Sequence, residues 1–206
     1  ACPRQGKPEE EADRYLSDEV TSIEAALQGA MDIVAEQVSE DASARGWIRE
    51  YSRKNGILVV AAKDKNVESP YRMYYEYQEA VNKIPPHRIL AINRGEREEI
   101  LKVSVLLETD KIIDYLCRRY VKPGVTAEYL TQAIQDSYSR LIKPSIERDL
   151  RNELSEKAEE RAITVFAKNL HSLLMQPPVK GQIILGLDPA YRTGCKWTIV
   201  DDTGKM

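Results

Sequence analysis

The order of apolar and polar positions predicts two helices near the start of the chain. From Thr21 onward, apolar residues recur every three or four positions, which places them on one helical face. A second helix is predicted from about Ala42 to Lys54. Asn55-Gly56 follows it, and these residues tolerate the left-handed conformation of a helix C-cap. The first face is formed by Ile23, Ala26, Leu27, Ala30, Ile33, Val34 and Val38.

Two β-branched runs predict short strands in the next part of the chain. They are Ile57–Ala61 and Ile100–Leu106. Gly95 is expected to separate the second run from a short helix that starts after Pro85-Pro86. Between the two runs, the tyrosine-rich segment 71–77 is compatible with a strand or a short helix. Four tyrosines could stack on bases, but no basic stripe accompanies them, which favours packing against the protein.

The segment between Gly124 and Gly181 contains no glycine and keeps helical spacing of apolar residues nearly throughout. It predicts a long helical region, with Thr126 as a possible N-cap. Pro144 is expected to divide it, because proline removes a backbone hydrogen bond and clashes with the preceding turn. The pairs Glu147–Arg151 and Glu153–Lys157 have i, i+4 spacing and predict a solvated charged face.

The pattern changes at Pro177-Pro178, after which two continuous apolar runs flank a turn. These runs, 183–187 and 197–200, predict a β-hairpin whose strands are buried on both sides. The chain is therefore expected to divide into a tail or linker (1–18), a helical region with short strands (19–178) and the start of a further domain (179–206). An isolated hairpin is only marginally stable in water.

Composition narrows the functional classes. Charged residues make up 31% of the chain and its net charge is -3, without the excess of Lys and Arg that binding to phosphates usually requires. Nucleic-acid contact is therefore expected to be local or to lie outside this chain. The three cysteines lack metal-ligand spacing, and no segment has the length and hydropathy of a membrane span, so a reduced, cytoplasmic setting is expected.

Asp188 is the most informative candidate site residue, because it lies where the apolar run 183–187 ends and a turn begins. A carboxylate there is expected to need compensation for desolvation. A metal-bound carboxylate would belong to a two-metal hydrolysis site, which needs further acidic ligands, and the only ones downstream are Asp201 and Asp202. A phosphate-binding turn would use the amides of Thr193 and Gly194. In the third interpretation, Asp188 accepts hydrogen bonds from turn amides.

Two longer segments carry a family resemblance. LLMQPPVKGQIILGLDPAYRTGCKWTIVDDTGK (173–205) closely resembles the entry to the YqgF-like, RNase H-type domain of the Tex family of bacterial transcription accessory proteins. HRILAINRGEREEILKV (87–103) resembles the central region of the same family, and so does the stretch 24–41. Together these matches cover nearly everything after residue 20.

The resemblance implies a mainly α fold: a helical scaffold with a few short β-strands, followed by the first β-hairpin of a truncated RNase H-like (YqgF) domain. It implies an accessory role in transcription with RNA or DNA as partner, mainly through domains missing from this chain. No catalytic residue, cofactor or membrane contact is expected. The alternatives are a Holliday-junction-resolvase-like, metal-dependent nuclease and a protein docking module for the transcription machinery.

The resemblance also shapes the expectations for individual residues. The family usually has glycine where this chain has Ala190, which argues against a tight ligand contact at the turn and makes Asp188 a vestigial metal candidate. Arg192 and Lys196 are weak candidates for nucleic-acid contact. The unpaired edges of the hairpin are expected to favour self-association.

A separate basic patch would form if the segments 88–97 and 118–122 met. Interleaved glutamates at 96, 98 and 99 would cancel much of its field, and solvated helix charge is the interpretation we favour.

Overall fold

The structure is a computed structural model that describes residues 7–177, 181–190, 192 and 194–206. It is 59% helical with a few antiparallel strands, which confirms the mainly α fold class. Contacts divide the chain into two units, residues 1–162 and 163–206, which are described separately below.

Seven α-helices and five strands account for the regular structure of the described residues. The helices are α1 Pro8–Ala12, α2 Ile23–Glu40, α3 Ala42–Asn55, α4 Pro86–Arg97, α5 Thr109–Tyr120, α6 Ala127–Asp136 and α7 Lys143–Leu174. The strands are β1 Ile57–Ala62, β2 Glu76–Ala80, β3 Leu101–Leu106, β4 Ile184–Asp188 and β5 Lys196–Val200. Residues 8–15, which we expected to belong to an irregular tail, form α1 and a 3₁₀ turn, with Ala12 buried.

The first unit contains a three-stranded antiparallel sheet in the order β2-β1-β3, which confirms both predicted strands. Alternate residues of β1 and β3 face the core. Leu58 pairs with Val105, and Val60 pairs with Val103, and all four are buried. This period-two burial gives the sheet one apolar face, which belongs to the same hydrophobic cluster as buried residues of α3, α4 and α7.

The tyrosine-rich segment is part of this core. Tyr71, Tyr74 and Tyr75 are buried, in and around a 3₁₀ turn at Arg72–Tyr74. The Tyr75 hydroxyl donates to the Val67 carbonyl and lies 3.0 Å from Ser69 Oγ. The packing interpretation is confirmed for these three rings, which are not available for stacking on bases.

The predicted left-handed cap at Gly56 is wrong. Gly56 has φ -68°, and its N–H donates to the Ser52 carbonyl at 2.7 Å. Glycine is needed there for space, because a Cβ at this position would lie 2.5 Å from that carbonyl oxygen. A positive φ at a helix end does occur at Glu99 (59°), where α4 ends.

α4 ends in a Schellman motif: the Glu99 N–H donates to the Glu96 carbonyl and the Ile100 N–H donates to the Gly95 carbonyl, both at 3.0 Å. Gly95 lies inside α4 and does not separate the helix from β3 as we expected. A Cβ there would come within 2.7 Å of Leu101.

Pro144 does not break the long helical region. A π-helical segment, Ser137–Ile142, joins α6 to α7, and the Lys143 N–H donates to the Tyr138 carbonyl five residues earlier. Proline has no N–H with which to continue the α-helical pattern, and a wider turn before it keeps the helix continuous. The first unit therefore has one helical backbone running from Ala127 into α7.

Asp41 links two helices of the first unit, α3 and α5. It is the N-cap of α3, accepting from the Ser43 N–H at 2.8 Å and the Ala44 N–H at 2.9 Å. It also accepts from the Tyr120 hydroxyl and, at 3.0 Å, from the Arg119 guanidinium. The Tyr120 hydrogen bond, the α3 amides and Arg119 hold the pKa of this carboxyl well below its usual range.

In the second unit, β4 and β5 form the predicted hairpin, with Leu185 opposite Ile199 and Leu187 opposite Trp197. The prediction that its strands are buried on both sides is wrong, because these four side chains are 51–68% exposed. A two-stranded sheet gives each residue one neighbouring strand, and its faces need a second layer to exclude water. Residues 163–174 of α7 also expose large apolar side chains, among them Phe166 and Leu174.

We expect Gly56→Ala to lower the free energy of unfolding by about 1–3 kcal/mol, because the new methyl group has no space beside the Ser52 carbonyl. The matched control is Gly46→Ala in α3, where an added Cβ would have no atom within 4 Å apart from its chain neighbours and the backbone of its own helix. Alanine there should raise the free energy of unfolding by about 1 kcal/mol. Urea unfolding of both variants measures the difference. Equal effects would contradict the steric explanation.

Asp41 should make the first unit sensitive to acid. Its folded-state pKa is lowered, so the stability that it contributes is present above its unfolded pKa of about 4 and is lost as pH falls below that value. Asp41→Asn can still cap α3 but has no charge. The variant should therefore be less stable than wild type at pH 7, and its free energy of unfolding should change less between pH 5 and pH 2. Urea unfolding across this range tests it, with the exposed Asp18→Asn as control. A wild-type pH profile in Asp41→Asn would refute the assignment.

Candidate nucleic-acid interface

The hairpin turn carries the three residues that the sequence singled out. Asp188 ends β4 and lies opposite Lys196, the first residue of β5. Both are exposed, and so is Arg192 in the turn between them. The turn therefore presents two cations to solvent, beside one carboxylate.

The expectation that Asp188 occupies a low-dielectric position is wrong, because its side chain is exposed. The two turn interpretations depend in part on Tyr191 and Thr193, which lie outside the described residues. Within the described ranges, no group of three or more His, Cys, Asp or Glu residues could hold a metal ion. A different carboxylate of the second unit, Asp201, does bind turn amides: it accepts from the Thr203 and Lys205 N–H groups, each at 2.9 Å.

Several arginines of the possible basic patch on 88–97 and 118–122 are ion-paired, in line with the interpretation that we favoured. Arg88 donates to Glu79 at 3.0 Å and to the Tyr77 hydroxyl at 2.9 Å. Arg94 pairs with Glu98 at 2.9 Å, and Arg119 pairs with Asp41. These pairs cancel much of the positive field along α4 and α5, as the interleaved charges suggested.

An arginine ladder between α3 and α7 was not found from the sequence. Three arginines of α3 at i, i+4 spacing contact three residues of α7 with the same spacing, so the two helices run side by side in parallel. The contacts are Arg45–Ser145 at 2.5 Å, Arg49–Asp149 at 2.6 Å and Arg53–Glu153 at 3.7 Å. The periodic arginines are visible in the sequence, but their partners lie a hundred residues away.

The predicted pair Glu147–Arg151 does not form. Glu147 accepts a hydrogen bond from the Val105 N–H of β3 at 2.8 Å, and Arg151 holds Glu96 of α4 in a two-pronged ion pair. Tertiary partners replace the neighbour on the same helix, because both side chains face other elements. The predicted pair Glu153–Lys157 is confirmed.

Comparison with known proteins identifies the family. A family description, Tex central region-like, matches residues 3–166, and a second, Tex protein YqgF-like domain, matches residues 182–206. The chain belongs to the Tex family.

Relatives of this Tex-family chain occur in bacteria and animals. It is 49% identical to protein YdcI of Bacillus subtilis, over 95% of the chain and 28% of that protein. It is 34% identical to the transcriptional accessory protein Tex of Neisseria gonorrhoeae, over 95% of the chain and 27% of that protein. Human S1 RNA-binding domain-containing protein 1 is 30% identical over 86% of the chain and 20% of its own length. The chain thus spans about a quarter of the length of the bacterial relatives.

The resemblance that the two sequence segments indicated is therefore confirmed. The segment 173–205 overlaps the YqgF-like match, and the segment 87–103 lies within the central-region match. In the described part of the chain, no helix combines the length and hydropathy needed to span a membrane. Contact of Arg192 and Lys196 with nucleic acid stays a prediction, as does self-association through the hairpin.

Double-mutant cycles should separate the two classes of ion pair in the first unit. The Arg151–Glu96 pair is 26% and 34% exposed and two-pronged, so its coupling energy should reach about 1–3 kcal/mol. The ladder pair Arg49–Asp149 is 53% and 34% exposed and should contribute about 0.2–1 kcal/mol. Alanine variants and urea unfolding measure both couplings. A larger coupling for Arg49–Asp149 would contradict this order.

Proposed function

We propose that this Tex-family chain is part of a nucleic-acid-binding scaffold that supports transcription in the cytoplasm and has no catalytic turnover of its own. The support comes from its relatives, one of which is named a transcriptional accessory protein and another an S1 RNA-binding domain-containing protein. RNA or DNA is the proposed partner of the whole protein, with the main affinity outside these residues. The transcription machinery is a further proposed partner.

The pairing of cations with carboxylates in this chain supports the proposal that the main nucleic-acid affinity lies elsewhere. Many cations of the first unit are held by carboxylates, in the arginine ladder and in the pairs of α4 and α5. A cation that already has a carboxylate partner gains less from a phosphate, because the existing pair must be given up. Arg192 and Lys196 are exposed in the hairpin turn, and we propose them as the local contact.

The nuclease alternative has less support in the described residues. Two-metal hydrolysis needs several carboxylates around one position, whereas Asp188 lies on the surface opposite Lys196. Ala190, where the family usually has glycine, adds a side chain to the turn.

Fluorescence anisotropy with a labelled single-stranded RNA tests the proposed contact. We expect weak binding, with a Kd on the order of 10⁻⁵ M at physiological salt, that falls several-fold in Arg192→Glu/Lys196→Glu with a smaller salt dependence. The control is Lys83→Glu/Lys102→Glu, which makes the same charge change at two exposed lysines of the first unit. A larger loss in the control would place the contact on the first unit instead.

A cleavage assay with Mg²⁺ or Mn²⁺ on branched DNA and RNA tests the absence of turnover. We expect no cleavage by the wild-type protein, and no difference between wild type and Asp188→Asn. Metal-dependent cleavage that the substitution abolishes would establish the nuclease alternative.

A further inference from the structure

An apolar cleft opens in the first unit where α3 ends beside α7. Its volume is about 370 Å³, near the lower end of the roughly 300–1,000 Å³ typical of ligand sites. Its apolar lining comes from the segment after β2, from α4 and from α7. These residues form its floor, and most of them are nearly inaccessible to water: Val81, Ile84, Pro86, Ile89, Leu150, Leu154 and Ala158.

The arginine ladder explains why the cleft exists. The contacts 45–145, 49–149 and 53–153 hold α3 and α7 in parallel, with one contact per helical turn. α3 ends at Asn55, whereas α7 continues past Ala158. The next turn of α7, at Lys157, therefore has no α3 residue opposite it, and the apolar side chains below that level line an open space.

The rim of the cleft has more cations than carboxylates. Arg53, Lys54 and Lys157 surround Glu50 and Glu153 in a continuous network. Each carboxylate already accepts from two cations. Lys54 and Lys157 each pair with one of these carboxylates, and an ammonium group has three donors, so a ligand carboxylate can be added without breaking the existing pair. Its excess of positive charge contrasts with the net charge of -3 of the chain.

We propose that this cleft is a docking site for a short, acidic, amphipathic segment of a partner protein. Apolar side chains of that segment would pack over the floor of the cleft, and its carboxylates would meet Lys54 and Lys157 at the rim. An amphipathic helix laid in an apolar groove is a common mode of peptide recognition. An RNA strand fits less well, because the floor of the cleft is apolar and no aromatic ring lines the cleft on which a base could stack. The site is distinct from the hairpin turn proposed for nucleic acid, in position and in partner.

Selection from a displayed library of random 12-residue peptides, with the intact chain as bait, tests the proposal. We expect enriched peptides to carry apolar residues at i, i+3 or i+4 spacing with flanking Asp or Glu. Enrichment of basic or uniformly polar peptides, or no enrichment, would overturn the proposal. So would displacement of the enriched peptides by single-stranded RNA.

Fluorescence polarisation of the most enriched peptide then locates its site. Lys54→Glu/Lys157→Glu reverses two rim charges on side chains that are 68% and 62% exposed, so the fold should be retained. We expect affinity to fall about tenfold or more, with weaker binding at high salt. Asn82→Trp, which places an indole at the exposed edge of the cleft, should also weaken binding.

The matched control is Lys65→Glu, which changes a lysine that is 67% exposed and lies outside the cleft. It should bind the peptide like wild type. Equal binding by wild type and both cleft variants would show that the peptide docks elsewhere and would overturn the proposal. Size-exclusion chromatography of the chain provides a further check, since a dimer abolished by the rim variants would identify a second copy as the occupant instead.

Discussion

The packing of the first half of α7 is the constraint on which the rest of the first unit depends. Ile146, Leu150 and Ala158 are nearly inaccessible to water and belong to the same hydrophobic cluster as the inner face of the sheet. Glu147, on the same half of the helix, binds an outward N–H of the edge strand β3. Together with α3 and α4, this helix thus covers the apolar face of the sheet, and it satisfies part of the open edge.

The same helix also determines how the charges of the unit are used. Its polar residues hold α3 through the arginine ladder and α4 through Arg151 and Glu96. Cations that stabilise contacts between helices are less available to phosphates, which fits a scaffold whose main nucleic-acid affinity lies elsewhere. Because the ladder continues only to the end of α3, it also leaves the rimmed apolar cleft beyond Arg53.

The sequence predicts the elements of this fold better than it predicts their partners. Period-two and period-3.6 patterns are local, so β1, β3, the hairpin, α2, α3 and the long helical region are predicted with small errors at their ends, whereas α1 is missed. The role of Gly56 depends on a carbonyl of the preceding turn, and that of Glu147 on a strand forty-two residues away. Neither leaves a local pattern. The exposure of Asp188 was missed because an apolar strand was assumed to be covered, which depends on the layer around it.

Amide hydrogen exchange of the intact chain tests the central claim most directly, namely that α7 and the sheet form the stable part of the molecule. We expect slow exchange in β1, β3 and residues 146–158. Exchange should be faster by a factor on the order of 100 or more in β4 and β5, whose faces are exposed. Equal protection of the hairpin and the sheet would contradict it.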